Sequence, residues 1–192
     1  MSTKSNSALS RTLALGAMFT AAVIVLQLLG SFIRFGTFSI SLVLVPIVVG
    51  AAMCGPWIGG WLGFVFGMVV LISGDAGPFL AVSVPGTVLT VLLKGTLCGL
   101  AAGCVYRLIA KHNVYAAVLA AAVVCPAVNT GVFLLGCAAF FLPTLSEWAG
   151  GGSVWKFMLL VLVGGNFLFE LGFNVVLSPI IVRLLRISKK LR

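Results

Sequence analysis

The sequence predicts an all-α membrane protein with six transmembrane helices and both termini in the cytoplasm. Three observations carry that reading: the composition, long apolar runs separated by short polar turns, and the position of the basic residues. Hydrophobic side chains make up 61% of the 192 residues and charged ones 8%, whereas soluble domains carry roughly 45–50% and 25%. A bilayer core takes about 20 apolar residues per helical span, so six spans use roughly 120 residues and leave about 70 for ends and turns. Residues 1–192 are therefore expected to form a single transmembrane domain with no module outside the bilayer. No G-x-x-x-x-G-K-[ST] phosphate loop occurs, so energy for transport work has to come from an ion gradient or from another subunit.

The first apolar run, Thr12 to Gly30, follows Lys4 and Arg11. It is longer than the roughly 7–15 residues of a secretory signal core, so it reads as a span and not as a cleaved leader. Span two is expected over Phe38 to Cys54 and span three, after the turn Gly55-Pro56, over Trp57 to Ser73. Residues 74–86 carry Asp75, Pro78 and Pro85, which disfavour a continuous helix, yet include Phe79, Leu80 and Val82. That segment reads as an extracellular loop folded back over the protein. Span four follows from Thr87 to Ile109, span five from Val114 to Phe141, and span six from Val154 to Leu185, with a second extracellular loop at 141–155.

An inside amino terminus puts Lys4, Arg11, Arg107, Lys111, Arg183, Arg186, Lys189, Lys190 and Arg192 on the cytoplasmic side and leaves Arg34 and Lys156 outside. The positive-inside rule selects this orientation over its reverse. The formal charge of +9 thus reads as a topology signal and not as a nucleic-acid surface. The five cysteines lie in or beside apolar segments without a C-x-x-C pair, and read as reduced core residues. His112 sits in the polar turn Lys111-His112-Asn113. No metal site or cofactor is expected.

Glycines recur at four-residue spacing in span three (Gly59, Gly63, Gly67) and span four (Gly95, Gly99, Gly103), where small faces let helices approach closely in lipid. Span one carries Ala14, Ala17 and Ala21 on one face; that flat surface suits either internal packing or a second membrane protein. Ionisable groups within spans cost about 2.5–3.5 kcal/mol each on insertion scales and point to function. Two occur, Lys94 and Glu170. Asn166, Glu170 and Asn174 share a helical face, and Asn129 lies at similar depth in span five. Lys94, Asn129, Asn166, Glu170 and Asn174, joined by Asp75 from the first outer loop, are the expected binding residues. The alternatives are a buried Lys94–Glu170 ion pair with asparagine packing, and a solvated loop carboxylate for Asp75. Gln27, Trp57 and Trp61 read as packing or interface residues.

The stretch Pro46-Ile47-Val48-Val49-Gly50-Ala51-Ala52-Met53-Cys54-Gly55-Pro56-Trp57-Ile58-Gly59-Gly60 and the element Ala17-Met18-Phe19-Thr20-Ala21, set in six spans, resemble the substrate-binding S component of energy-coupling factor (ECF) transporters. The resemblance implies a membrane subunit that captures a vitamin or related micronutrient from outside. It also implies association with a transmembrane T component and two ATPases in a prokaryotic plasma membrane. The alanine face would contact the T component, and no catalytic residue is implied. One Lys, one Glu and several amides suit a small polar carboxylate such as pantothenate or a folate-like molecule, with riboflavin also compatible. Few Tyr or Trp residues occur at that depth, which argues against recognition by aromatic stacking. The rival reading is a stand-alone secondary transporter or channel using Lys94 and Glu170 as a coupling pair. Inverted repeats would favour it, and none is evident between residues 1–96 and 97–192. A membrane enzyme would need a nucleophile, base or metal set that one loop histidine and three carboxylates do not supply.

Overall fold

The structure, a computed structural model, describes residues 3–32, 34–35, 38–39 and 42–190, with side chains over 10–31 and 42–187. The side chains of Lys4, Arg34, Lys189 and Lys190, and the whole of Arg192, lie outside the described residues. Helix α1 (Thr3–Phe32) is followed by a short antiparallel pair, β1 (Arg34–Phe35) and β2 (Phe38–Ser39), and then by α2 (Leu44–Cys54) and α3 (Pro56–Ile72). A one-turn helix α4 (Gly77–Leu80) leads to α5 (Val84–Ile109) and α6 (Val114–Phe140). The chain closes with α7 (Leu142–Trp148), α8 (Val154–Lys156), a π-helical stretch over Phe157–Gly164, and α9 (Gly165–Lys190).

Four described stretches are long and apolar enough to cross a membrane: Ser10–Ser31, Val84–Ile109, Val114–Phe140 and Val154–Ile187. Helices α2 and α3, at 11 and 17 residues, rise only about 16 and 25 Å at 1.5 Å per residue. Span two therefore departs from expectation. Residues 38–39 pair with 34–35 instead of joining a helix, which begins at Leu44 with Pro46 in its first turn. There a missing N–H costs nothing. Seven of the eleven residues of α2 are buried, and the helix touches α1, α3, α5, α6 and α9, which makes it the centre of the bundle.

Proline also shifts the start of span four. Pro85 lies in the first turn of α5, with Ser83 capping the Gly86 amide, so the helix begins at Val84 and not at Thr87. Residues 74–83, within the expected loop 74–86, do not form a continuous helix: turns flank the one short helix α4 there. The 141–155 segment also contains a helix, α7, before Gly150 and Gly151 turn the chain with φ of 59° and 86°.

The glycine stripes meet each other. A Cβ at Gly63 would fall onto the Gly95 carbonyl oxygen, one at Gly59 would lie 2.5 Å from the Gly99 carbonyl oxygen, and one at Gly67 would lie 2.9 Å from that of Val91. The antiparallel pair α3–α5 has the most extensive contact in the bundle, because only hydrogen separates the two backbones there. Replacing Gly63 with Val is expected to lower the thermal midpoint in detergent by on the order of 10 °C or to prevent recovery of a monodisperse protein. Gly131→Ala, where an added Cβ meets nothing within 4 Å, should leave the midpoint unchanged. Scanning fluorimetry on the two variants checks this.

Candidate functional site

The α3–α5 contact places Lys94, the neighbour of Gly95, opposite Phe66, the neighbour of Gly67. The Lys94 Nζ stands 5.6 Å from the Phe66 ring centroid and 5.1 Å from that of Phe133 on α6. These cation–π contacts are what holds the ammonium. Among the described residues it makes no hydrogen bond and no ion pair, including none with Glu170.

Lys94 borders a cavity of about 130 Å³, many times the roughly 10–15 Å³ that one water needs. Its walls come from α1 (Gln27), α3 (Phe66, Val70), the cover segment (Gly74 to Ala76, Pro78, Phe79), α5 (Thr87, Thr90, Val91, Lys94) and α6 (Asn129, Thr130, Phe133). Phe141, Leu162, Val163 and Asn166 complete it. The π-helical stretch supplies Leu162 and Val163 immediately before Asn166.

Four of the sequence-named residues, Asp75, Lys94, Asn129 and Asn166, thus border one space. Glu170 is fully buried next to it and accepts a 2.9 Å hydrogen bond at Oε1 from the Asn166 Nδ2. Asn174 is buried a turn farther on, and its Nδ2 donates to the backbone oxygen of Glu170 at 2.8 Å. Neither Glu170 nor Asn174 is among the wall residues, so Glu170 braces Asn166 and Asn174 braces the helix. Gln27, read from the sequence as a packing or interface residue, is buried, lies in the wall, and its Nε2 donates to the Asp75 Oδ2 at 2.9 Å. Trp57 and Trp61 are exposed, and Trp61 Nε1 donates to Thr20 Oγ1 at 3.3 Å.

Sequence reasoning also missed Thr87, Thr90 and Thr130. Thr87 and Thr90 lie seven and four residues before Lys94, on its helical face, which is a signal the sequence offers. The aromatic content of the wall is phenylalanine: Phe66, Phe79, Phe133 and Phe141. The scarcity of Tyr and Trp therefore does not make the cavity poor in rings.

The walls carry unmet hydrogen-bonding capacity. Gln27 Oε1, Thr90 Oγ1, Asn129 Oδ1 and Asn166 Oδ1 are buried without a hydrogen-bond partner among the described residues. They come from four different helices. Leaving such a group unpaired costs about 1–3 kcal/mol, and their gathering around one void fits a guest that presents donors to them.

No curated protein sequence matches the chain. A solved structure described as native-SAD phasing for ThiT from Listeria monocytogenes shares the fold, with a TM-score of 0.64, 21% identity, and coverage of 94% of this chain and 96% of that one. The family model for the substrate-specific component of ECF transporters matches residues 11–182. An apolar helical bundle around a partly polar cavity, matched over nearly its whole length by that model, places this chain in the substrate-specific component family of ECF transporters.

Proposed function

We propose that the chain is the membrane-embedded capture subunit of an ECF-type importer, and that its cavity takes a small, acid-bearing micronutrient of vitamin type from outside the cell. The observation that carries this reading is the Lys94 ammonium, held in the cavity wall by two phenyl rings with no hydrogen-bond or ion-pair partner among the described residues. A cation desolvated in this way is stabilised chiefly by an anion. The unmatched oxygens of Gln27, Thr90, Asn129 and Asn166 add places for hydroxyl or amide donors of the guest. An acid with such donors, of which pantothenate is one pattern and a folate-like molecule another, satisfies both features. Asp75, Glu170 and Asn174 act in this reading from the cover and from behind the wall.

The orientation follows from the two ends of the bundle. Gly103 abuts Pro56 and Arg186 stacks on Tyr115 at 4.5 Å, which gathers the basic ends of α5 and α9 beside the starts of α3 and α6. At the opposite end Phe79 meets Trp148 edge-on at 5.7 Å. Placing the basic end in the cytoplasm obeys the positive-inside rule and turns the 74–83 cover outward. The chain then threads the bilayer in six segments, with α2 and α3 as the short ones and both termini inside. The reading has a binding role and no catalytic one.

Energy comes from partners in this account, a T component and two ATPases, because the sequence has no phosphate loop of its own. Ala14, Ala17 and Ala21 are exposed, whereas Gly16 on the same helix turns inward against Ile58. The exposure supports the docking alternative for this stripe over internal packing.

Purification without added ligand, followed by mass spectrometry of the small molecules retained per mole of protein, tests the capture site. Lys94→Ala is expected to retain on the order of 10- to 100-fold less of the acid that the wild-type chain carries, at an unchanged thermal midpoint of the emptied proteins. Equal retention would remove Lys94 from the site. For the partner face, Ala17→Phe with Ala21→Phe is expected to abolish cellular uptake while retention by the purified subunit stays at the wild-type level. Loss of retention in that variant would assign the stripe to internal packing.

A further inference from the structure

Among the described residues, the cover over residues 73–83 has two fastenings of different chemistry. On one side Phe79 is buried among the rings of Phe133, Phe141 and Trp148, with centroid separations of 5.5, 5.1 and 5.7 Å. On the other side the cover is tied to α1 by a polar contact, the Gln27 Nε2 donating to the Asp75 Oδ2 at 2.9 Å, while Ser73 Oγ donates to the same oxygen at 3.1 Å. Gln27 is 2% exposed. Its hydrogen bond to the partly exposed Asp75 carboxylate is part-buried and charge-assisted.

The two fastenings differ in how they release. Separating Phe79 from its rings exposes apolar surface, whereas the amide–carboxylate contact can be exchanged for another donor or acceptor without a hydrophobic penalty. Gln27 also lies in the cavity wall, and its second polar atom, Oε1, has no partner among the described residues. One side chain thus holds the cover with its nitrogen and belongs to the wall of the guest space.

We propose that Gln27 is a positioning residue that latches the 73–83 cover to α1 through Asp75, and that the Gln27–Asp75 seam is where the cavity opens. That a micronutrient passes through this seam rests on the reading of the cavity as a capture site; the latch itself does not. When the seam parts, the cover is held on its other side by Phe79, so that fastening opens more often and exposes the apolar cluster beneath it. Cys137 reports on that movement, because it is fully buried in the same apolar cluster as Phe79. Cys98 and Cys125, also fully buried, belong to the main core cluster and serve as internal references.

The test is the rate of N-ethylmaleimide labelling of each cysteine in the full chain in detergent, resolved by peptide mass spectrometry. Gln27→Leu and the isosteric Gln27→Glu, which sets a carboxylate against Asp75, are expected to raise Cys137 labelling on the order of 10- to 100-fold. Cys98 and Cys125 should keep their wild-type rates. Combining Gln27→Glu with Asp75→Asn reinstates an amide-to-carboxylate hydrogen bond in the reverse sense, and is expected to restore Cys137 protection. A loss of packing volume would not be rescued in this way. The proposal is overturned if Cys137 in the single variants labels at the wild-type rate. It is equally overturned if all three thiols open together, or if the double variant stays open. Labelling needs no guest, so its outcome is separate from the retention measurement on Lys94.

Discussion

Inside a bilayer there is no water to complete a hydrogen bond, and a cation there must find its stabilisation within the protein or in something the protein binds. Lys94 sits under that constraint. Its position follows from a close backbone approach: glycines at 63 and 95 bring α3 and α5 together, and the residues beside that contact, Phe66 and Lys94, face each other across the cavity edge. Phe133 on α6 closes the other side of the ammonium. The protein supplies rings to the cation and withholds an anion. Glu170, the obvious counter-charge, is engaged by Asn166 instead.

The same sequence made some of this legible and hid the rest. Lys94, Asn129 and Asn166 stood out because a polar side chain within an apolar run is costly and so demands a reason. Four-residue spacing grouped Asn166 with Glu170 and Asn174, but a helix of 3.6 residues per turn drifts about 40° at each such step. By Asn174 the face has rotated away from the cavity. Phe66 was one of fourteen phenylalanines and carried no local mark. Gln27 was hidden in a different way: a lone amide on a lipid-length helix looks like packing until the loop that supplies its acceptor, Asp75, is placed beside it.

At the level of elements, hydropathy located α5, α6 and the last helix well, since length and composition alone define a span. It failed at residues 38–39, which make a strand contact, while the helix of that apolar run begins at Leu44. Apolar content does not distinguish the two when the run is short. The π-helical stretch before Asn166 was likewise invisible, because a widened turn is a property of the hydrogen-bond ladder and leaves composition unchanged.

A structure of the chain purified without added ligand, at a resolution that shows small molecules, tests the central claim most directly. The account predicts a bound acid with an oxygen about 2.7–2.9 Å from the Lys94 Nζ, and donor groups set against Asn129 and Asn166. Lys94 turned away from an empty or lipid-filled cavity into an ion pair with Glu170 would contradict it.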